Sequence, residues 1–82
     1  ADCKVLNLFA YTGAYSVAAA AGGAEQVTSV DVAKRYLDWS KDNFRLNDID
    51  PDDHEFVTGD CFAVLDRFHQ EGRVYDLVFM DP

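Results

Sequence analysis

Basic residues are scarce in this 82-residue chain: seven Lys and Arg stand against fifteen Asp and Glu, a formal charge of −8. Nucleic-acid affinity comes largely from Lys and Arg displacing counterions, so the segment by itself is a poor grip for a phosphate backbone. Any RNA or DNA it acts on must be held by regions outside it. No apolar run approaches the ~20 residues that cross a bilayer, and the opening Ala1-Asp2-Cys3-Lys4 is not that of a signal peptide. Two cysteines, Cys3 and Cys61, are too few for a disulfide framework and lack metal-ligand spacing. A reducing, cytoplasmic setting with no membrane and no metal is therefore expected. Repeats and low-complexity tracts are absent too. What the chain does have is apolar content, 49% hydrophobic and 13% aromatic, enough to drive collapse of one small domain.

Short β-rich runs alternate with longer helical ones. Lys4 to Phe9 is a buried-strand type of run, interrupted by Ala10-Tyr11-Thr12-Gly13. Ala14 to Ala21 is alanine-rich and stops at Gly22-Gly23, as a helix does at a C-cap glycine. Gln26 to Val30 is a second strand ending at Asp31. Ala33 to Asn47 reads as the longest helix, with Ala33, Leu37, Ser40 and Phe44 on one face and Tyr36, Trp39 and Leu46 flanking it. An acidic turn, Asp48 to Asp53, follows, where Pro51 forbids continuation. His54 to Thr58 is a third strand, and Phe62 to His69 a third helix, with Phe62, Leu65 and Phe68, or Ala63 and Leu65, sharing a face. Val74 to Met80 is a nearly all-apolar fourth strand closing at Asp81-Pro82. The order β-α-β-α-β-α-β with short connections predicts an α/β fold, a parallel sheet covered by helices. So apolar a fourth strand belongs inside a sheet, and at an exposed edge it is a liability. Residues 1–82 are therefore expected to be the N-terminal part of a larger domain, and marginal or aggregation-prone alone.

Open α/β sheets bind ligands beyond the carboxyl ends of their strands. Four places arrive there: Phe9 to Gly13, Asp31, Asp60 to Phe62, and Asp81-Pro82. The first turn lacks the G-x-G-x-x-G that lets backbone approach a pyrophosphate, offering only Gly13. A single glycine still admits an uncharged or singly charged group, and the helix N-terminus behind it favours a carboxylate. Thr12 is a candidate cap for that helix. Asp31 follows Gly13 at about the distance where an acidic residue meets ribose hydroxyls, and its two oxygens match a vicinal diol. It also suits capping of the helix at Ala33. Asp60 could accept from an adenine amino group or simply cap the third helix, while the Cys61 backbone or the Phe62 ring packs on the purine. A ribose, an adenine and a carboxylate without pyrophosphate describe S-adenosylmethionine.

These residues have a family likeness. Leu6 to Ser16 (LNLFAYTGAYS) resembles the first motif of class I S-adenosylmethionine-dependent methyltransferases acting on large-subunit (23S) ribosomal RNA, which have a Rossmann-like core. TSVD (Thr28 to Asp31), YLDWSKDNFRLN (Tyr36 to Asn47), GDC (Gly59 to Cys61) and YDLVFMDP (Tyr75 to Pro82) continue the resemblance in order. Within that family the likeness is greatest to the guanine-N7 half of the bifunctional bacterial enzyme. Members that methylate cytosine C5 share the first turn. The resemblance implies that Phe9, Tyr11, Thr12 and Gly13, with Asp31, Asp60 and a D-P-P region, line the cofactor and target-base pocket. Only Asp81 and the first proline, Pro82, of that last region are present.

Guanine N7 attacks through an existing ring lone pair, so holding the reacting atoms in line is the main requirement. Asp81 is then expected to orient the base or the methionine amino group, and Pro82 to stiffen the turn. Cytosine C5 needs a cysteine nucleophile. Cys61 is the only well-placed one, and it reads as a packing or pocket-lining residue. Cys3, His54 and His69 read as structural. Tyr36, Trp39 and Phe44 read as helix-on-sheet packing rather than a base-stacking platform. A nicotinamide-dependent oxidoreductase and a non-catalytic nucleotide-binding module are the remaining alternatives.

Overall fold

A computed structural model describes residues 3–11 and 13–80. In chain order these form β1 (Lys4–Leu8), α1 (Ala14–Ala21), β2 (Gln26–Asp31), α2 (Lys34–Leu46), a single 3-10 turn (Pro51–Asp53), β3 (Glu55–Thr58), α3 (Cys61–Gln70) and β4 (Leu77–Met80). All strand pairs are parallel, in the order β3-β2-β1-β4. The chain steps outward from β1 through β2 to β3 and then crosses back to lay β4 on the other side of β1. The strand order thus reverses at β1, and open α/β sheets bind ligands beyond the carboxyl ends of strands at such a switch point.

Period-two alternation gives the two faces of the sheet different cores. Leu6, Leu8 and Val30 meet Cys61, Val64 and Phe68 of α3. On the opposite face α1 and α2 pack together. There Phe44 sits fully buried with its ring edge-on to Phe56 and His54. Burial of Phe44 and of Phe68 stabilises the fold by roughly 1.5–3 kcal/mol each. The α1 face carries a buried polar chain. Asn7 Nδ2 donates to Ser16 Oγ at 2.8 Å, and Ser16 Oγ shares a hydrogen bond with Ser29 Oγ at 2.7 Å. One amide and two hydroxyls thus fix the first turn of α1 to both central strands.

The helix boundaries follow local chemistry. Gly22 and Gly23 close α1, the latter at φ 97°. Pro51 occupies the first position of the 3-10 turn, where its missing N–H costs nothing, so the acidic stretch is partly helical rather than a plain loop. Three expectations need correction. The α3 face is Cys61, Val64 and Phe68, because the Asp60 cap starts the helix one residue earlier; Phe62 and Ala63 are exposed. Strand β4 begins only at Leu77, since Asp76 turns back to accept the Lys4 N–H through its carboxylate. Trp39 is 51% exposed and does not pack on the sheet, unlike Phe44.

Strand β4 lies at the edge of the sheet, with Leu77, Val78 and Met80 all close to half-exposed. His54 is structural, as expected: its Nδ1 accepts the Val27 N–H at 2.9 Å. His69 lies in the last turn of α3. No helix among the described residues is long and apolar enough to cross a membrane.

Candidate functional site

The turn after β1 is the most strained part of the chain. Phe9, Tyr11 and Gly13 adopt φ of 61°, 53° and 83°. Left-handed backbone costs bulky residues about 1–3 kcal/mol each and persists only where the surroundings over-determine it. Here the surroundings do so, one N–H at a time. Phe9 N–H donates to Cys61 Sγ at 3.2 Å, Ala10 N–H to the Val30 carbonyl at 3.0 Å, Tyr11 N–H to Asp31 Oδ2 at 3.0 Å, and Gly13 N–H to the Ala10 carbonyl at 2.8 Å. Each described donor of the turn is therefore taken by the protein. Gly13, the N-cap of α1, gives no side-chain cap to the first-turn N–H groups, of which those of Ala14 and Tyr15 belong to exposed residues. They form an open helix N-terminus that suits a carboxylate.

Gly13 is required for two reasons. Its φ disfavours any side chain, and a Cβ there would run into Ser40 Oγ and lie 2.7 Å from Ser40 Cβ. Ser40 Oγ is fully buried and has no hydrogen-bond partner among the described residues.

Asp31 ends β2 as a carboxylate only 3% exposed. Its Oδ1 accepts the Ala33 N–H at 3.0 Å, in the connection just before α2, and its Oδ2 holds the first turn through Tyr11; the N-cap of α2 is Ala33, with no side-chain cap, so Asp31 is not the helix cap expected of it. Two N–H donors leave lone pairs on both oxygens. Asp60 Oδ1 accepts the Ala63 N–H at 2.9 Å, an N-cap, and the residue is otherwise exposed. Phe62 is 60% exposed, and its ring stands edge-on to Phe9 with centroids 5.8 Å apart. Phe9 and Phe62 thus wall the space between the tips of β1 and β3. Cys61 points the other way. Its thiol is buried in the α3 core and donates weakly to the Val30 carbonyl at 3.7 Å. Burial pushes its pKa up, helped by the Asp31 and Asp60 carboxylates, although the Phe9 N–H pulls it down.

The structure therefore gathers Phe9, Tyr11, Gly13, Asp31, Asp60 and Phe62 at one end of the sheet, with the Cys61 backbone among them and its side chain beneath. Thr12, Asp81 and Pro82 lie outside the described residues. Sequence reasoning missed the supports of the turn: Cys61 under Phe9, Asp31 under Tyr11, and Ser40 against Gly13. Only Ser40 left a trace, as a small residue on the apolar face of α2. A cleft of about 330 Å³ lies at the opposite ends of the strands, lined by Lys4, Gln26, Glu55, Arg73, Val74 and Tyr75. There Arg73 takes both Glu55 oxygens, at 2.7 and 3.3 Å, and covers the Phe68 ring at 3.9 Å. The Arg73 hydrogen bonds hold the Glu55 carboxyl below its ordinary range. That network closes the core and is remote from the tips. Among the described residues no group of three His, Cys, Asp or Glu is placed to hold a metal ion.

An all-parallel sheet reversing at β1, with a glycine-poor turn and a carboxylate at the tip of the neighbouring strand, defines a Rossmann-like domain. The chain belongs to the S-adenosylmethionine-dependent methyltransferase family, whose model matches residues 1–82. Its cofactor is accordingly S-adenosylmethionine, and the nicotinamide alternative falls. Among similar proteins, the ribosomal RNA large subunit methyltransferase K/L of Shewanella sp. (strain ANA-3) is 51% identical over 80 residues, covering 96% of this chain and 11% of that protein. The methyltransferase K of Neisseria meningitidis serogroup B is 49% identical, covering 96% and 22%. Among solved structures, a methyltransferase complexed with S-adenosylhomocysteine has a TM-score of 0.90 at 44% identity, covering 96% of this chain and 21% of that one. An S-adenosylmethionine-dependent methyltransferase from Agrobacterium tumefaciens has a TM-score of 0.92 at 39% identity, covering 100% and 26%. The chain thus spans about a tenth to a fifth of the length of these curated relatives.

Proposed function

We propose that these residues hold S-adenosylmethionine for methyl transfer to a base of large-subunit ribosomal RNA in the cytoplasm, guanine N7 in the first instance. The observation that carries this reading is the turn from Phe9 to Gly13, strained and clamped at every described N–H beside the buried Asp31. When bound, the cofactor supplies an electrophilic methyl group on sulfur. In this reading the open N–H groups of α1 take its carboxylate, and the free lone pairs of Asp31 take the ribose hydroxyls. Phe62 and Phe9 flank the purine, and Asp60 accepts from its amino group. Asp81 orients the incoming base and Pro82 stiffens the last turn. Alignment of this kind supplies up to roughly 7–11 kcal/mol in well-oriented systems.

Cys61 is not the nucleophile that a cytosine-C5 transfer would use. A C5 transfer needs a thiolate nucleophile, and the Cys61 thiol is buried, kept protonated and engaged with two backbone groups. Half-exposed apolar side chains on β4, together with the length of the relatives, support reading residues 1–82 as the N-terminal part of a larger sheet that also supplies the RNA grip.

The test is transfer of labelled methyl from S-adenosylmethionine to protein-free large-subunit ribosomal RNA by the full-length enzyme, with the product base identified. Label on guanine N7 that is lost in Asp31→Ala and Asp81→Ala is expected. Label on a cytosine carbon overturns the base assignment, and no transfer leaves a binding module.

A further inference from the structure

The aromatic residues that leave the sheet form a continuous surface. Tyr11, in the strained turn, is 44% exposed and meets Tyr36 with ring centroids 5.9 Å apart at 61°. Tyr36 in turn meets Trp39 at 5.6 Å and 54°. Trp39, one helical turn further along α2, is 51% exposed. The Arg35 guanidinium lies 5.3 Å from the centre of the Tyr36 ring. Three rings and a cation thus run from the cofactor turn out along α2.

A ladder of this size is costly to leave in water, and core packing does not explain it. The inward face of α2 is already filled by Leu37, Ser40 and Phe44. Its charge is informative as well. Of the other cations on α2, Lys34 pairs with Asp38 at 3.1 Å and Arg45 with Asp42 at 3.0 Å, while Lys41 lies 5.3 Å from the centre of the Phe56 ring. Arg35 has no carboxylate partner among the described residues, although acids outnumber bases about two to one in the chain. A planar cation beside exposed rings fits a ligand that is itself planar and anionic.

From this we infer that Tyr11, Tyr36 and Trp39 form a stacking platform for unpaired nucleotides of the RNA substrate, with Arg35 taking a phosphate or stacking beneath a base. The inference rests on the RNA reading of the previous section and adds where the strand lies. It also accommodates the net charge. A surface this acidic repels a duplex, whose affinity depends on many phosphate contacts. Stacking on aromatic faces is indifferent to charge and tolerant of sequence. Tyr11 belongs to both sites, so the platform starts where the cofactor cradle ends.

The test uses the full-length enzyme as wild type, Trp39→Ala, Trp39→Phe and Arg35→Gln. The probes are a fluorescent unstructured RNA of about twelve nucleotides, within the usual span of a single-strand site, the same RNA annealed to its complement, and S-adenosylhomocysteine. Trp39→Ala is expected to weaken single-strand binding about tenfold, as loss of one stacked base does. Trp39→Phe restores most of it. Both leave the S-adenosylhomocysteine and duplex affinities unchanged. Arg35→Gln lowers the slope of log affinity against log salt by about 0.7, the value for one phosphate contact on a single strand. Single-strand affinity of Trp39→Ala within about twofold of wild type, less than 0.5 kcal/mol, overturns the inference. So does an equal loss of S-adenosylhomocysteine binding. A lowered Tm with unchanged RNA affinity also overturns it and marks the ladder as a docking face for another part of the protein. Wild-type enzyme that neither binds nor methylates ribosomal RNA brings down the functional reading and this inference together. Wild-type transfer with an indifferent Trp39→Ala brings down this inference alone.

Discussion

Tyr11 and Asp31, twenty residues apart, are joined by a single backbone-to-carboxylate hydrogen bond of 3.0 Å that links the first turn to the tip of β2. The second carboxylate oxygen holds Ala33, so one side chain fixes the start of two connections at once. Asp31→Ala removes the acceptor of two partly buried N–H donors. Charge-assisted hydrogen bonds contribute about 1.5–3 kcal/mol each, and the expected loss of unfolding free energy is about 2–4 kcal/mol. Urea denaturation checks this. Asp31→Asn, which retains one acceptor, should lose about half as much. Asp31→Ala at wild-type stability would detach Asp31 from the turn.

Gly13 and Ser40 make a second pairing with a measurable sign. Gly13→Ala is expected to cost about 2–4 kcal/mol, combining a left-handed backbone with a clash against Ser40. Ser40→Ala alone should be neutral or stabilising by up to about 1 kcal/mol, because it removes an unpartnered buried hydroxyl. The two substitutions are in contact and should not add, and a double-mutant cycle in urea measures the coupling. Ser40→Gly in the Gly13→Ala background relieves the clash and leaves the backbone strain.

Cys61 should be inert. Burial raises its thiol pKa and the side chain is enclosed by the α3 core, so the folded protein at pH 8 should resist alkylation at Cys61 while half-buried Cys3 reacts first. Mass-spectrometric mapping after a short iodoacetamide pulse separates the two. Rapid labelling of Cys61 without unfolding would show that the thiol is not enclosed by the α3 core.

His54 gives the fold a pH dependence. Its Nδ1 accepts a hydrogen bond from Val27, which only neutral imidazole can do, and desolvation lowers its pKa against the opposing pull of Asp53 and Asp50. Between that lowered value and about 6.5, the ordinary imidazole value, the unfolded chain takes up a proton that the folded chain does not. The stabilisation is fully present above about pH 6.5 and is lost as pH falls through the folded pKa. Urea midpoints between pH 8 and pH 5 should fall toward acid, and His54→Gln should flatten that slope.

The strand and helix order was readable because punctuation and periodicity agreed. Gly22-Gly23 and Pro51 mark boundaries by backbone chemistry alone, and the 3.6 period of α2 puts Leu37, Ser40 and Phe44 inward as read. The α3 face was misread because cysteine at the first helical position behaves as an apolar core residue, shifting the buried set to Cys61, Val64 and Phe68. Residues 74 to 76 look like strand by composition. They are held out of it by the Arg73 contacts and by Asp76 reaching Lys4. Strand-tip carboxylates could be picked out from topology. Their partners could not, since Phe9 with Cys61 or Tyr11 with Asp31 are pairings across 52 and 20 residues that no local spacing encodes. The exposure of Trp39 was missed for a related reason: amphipathic flanks look alike whether they face a neighbour or water.

The amide of Asn7 and the hydroxyls of Ser16 and Ser29 have a kinetic consequence. They tie the leading turn of α1 to the two innermost strands, so this helix end cannot fray by itself. The hydrogen-bonded amide protons that follow, beginning with Val17, which donates to the Gly13 carbonyl, should exchange with deuterium only when the central strands separate. The groups proposed to receive the cofactor then belong to the same cooperative unit as the core, and thermal motion alone does not loosen them.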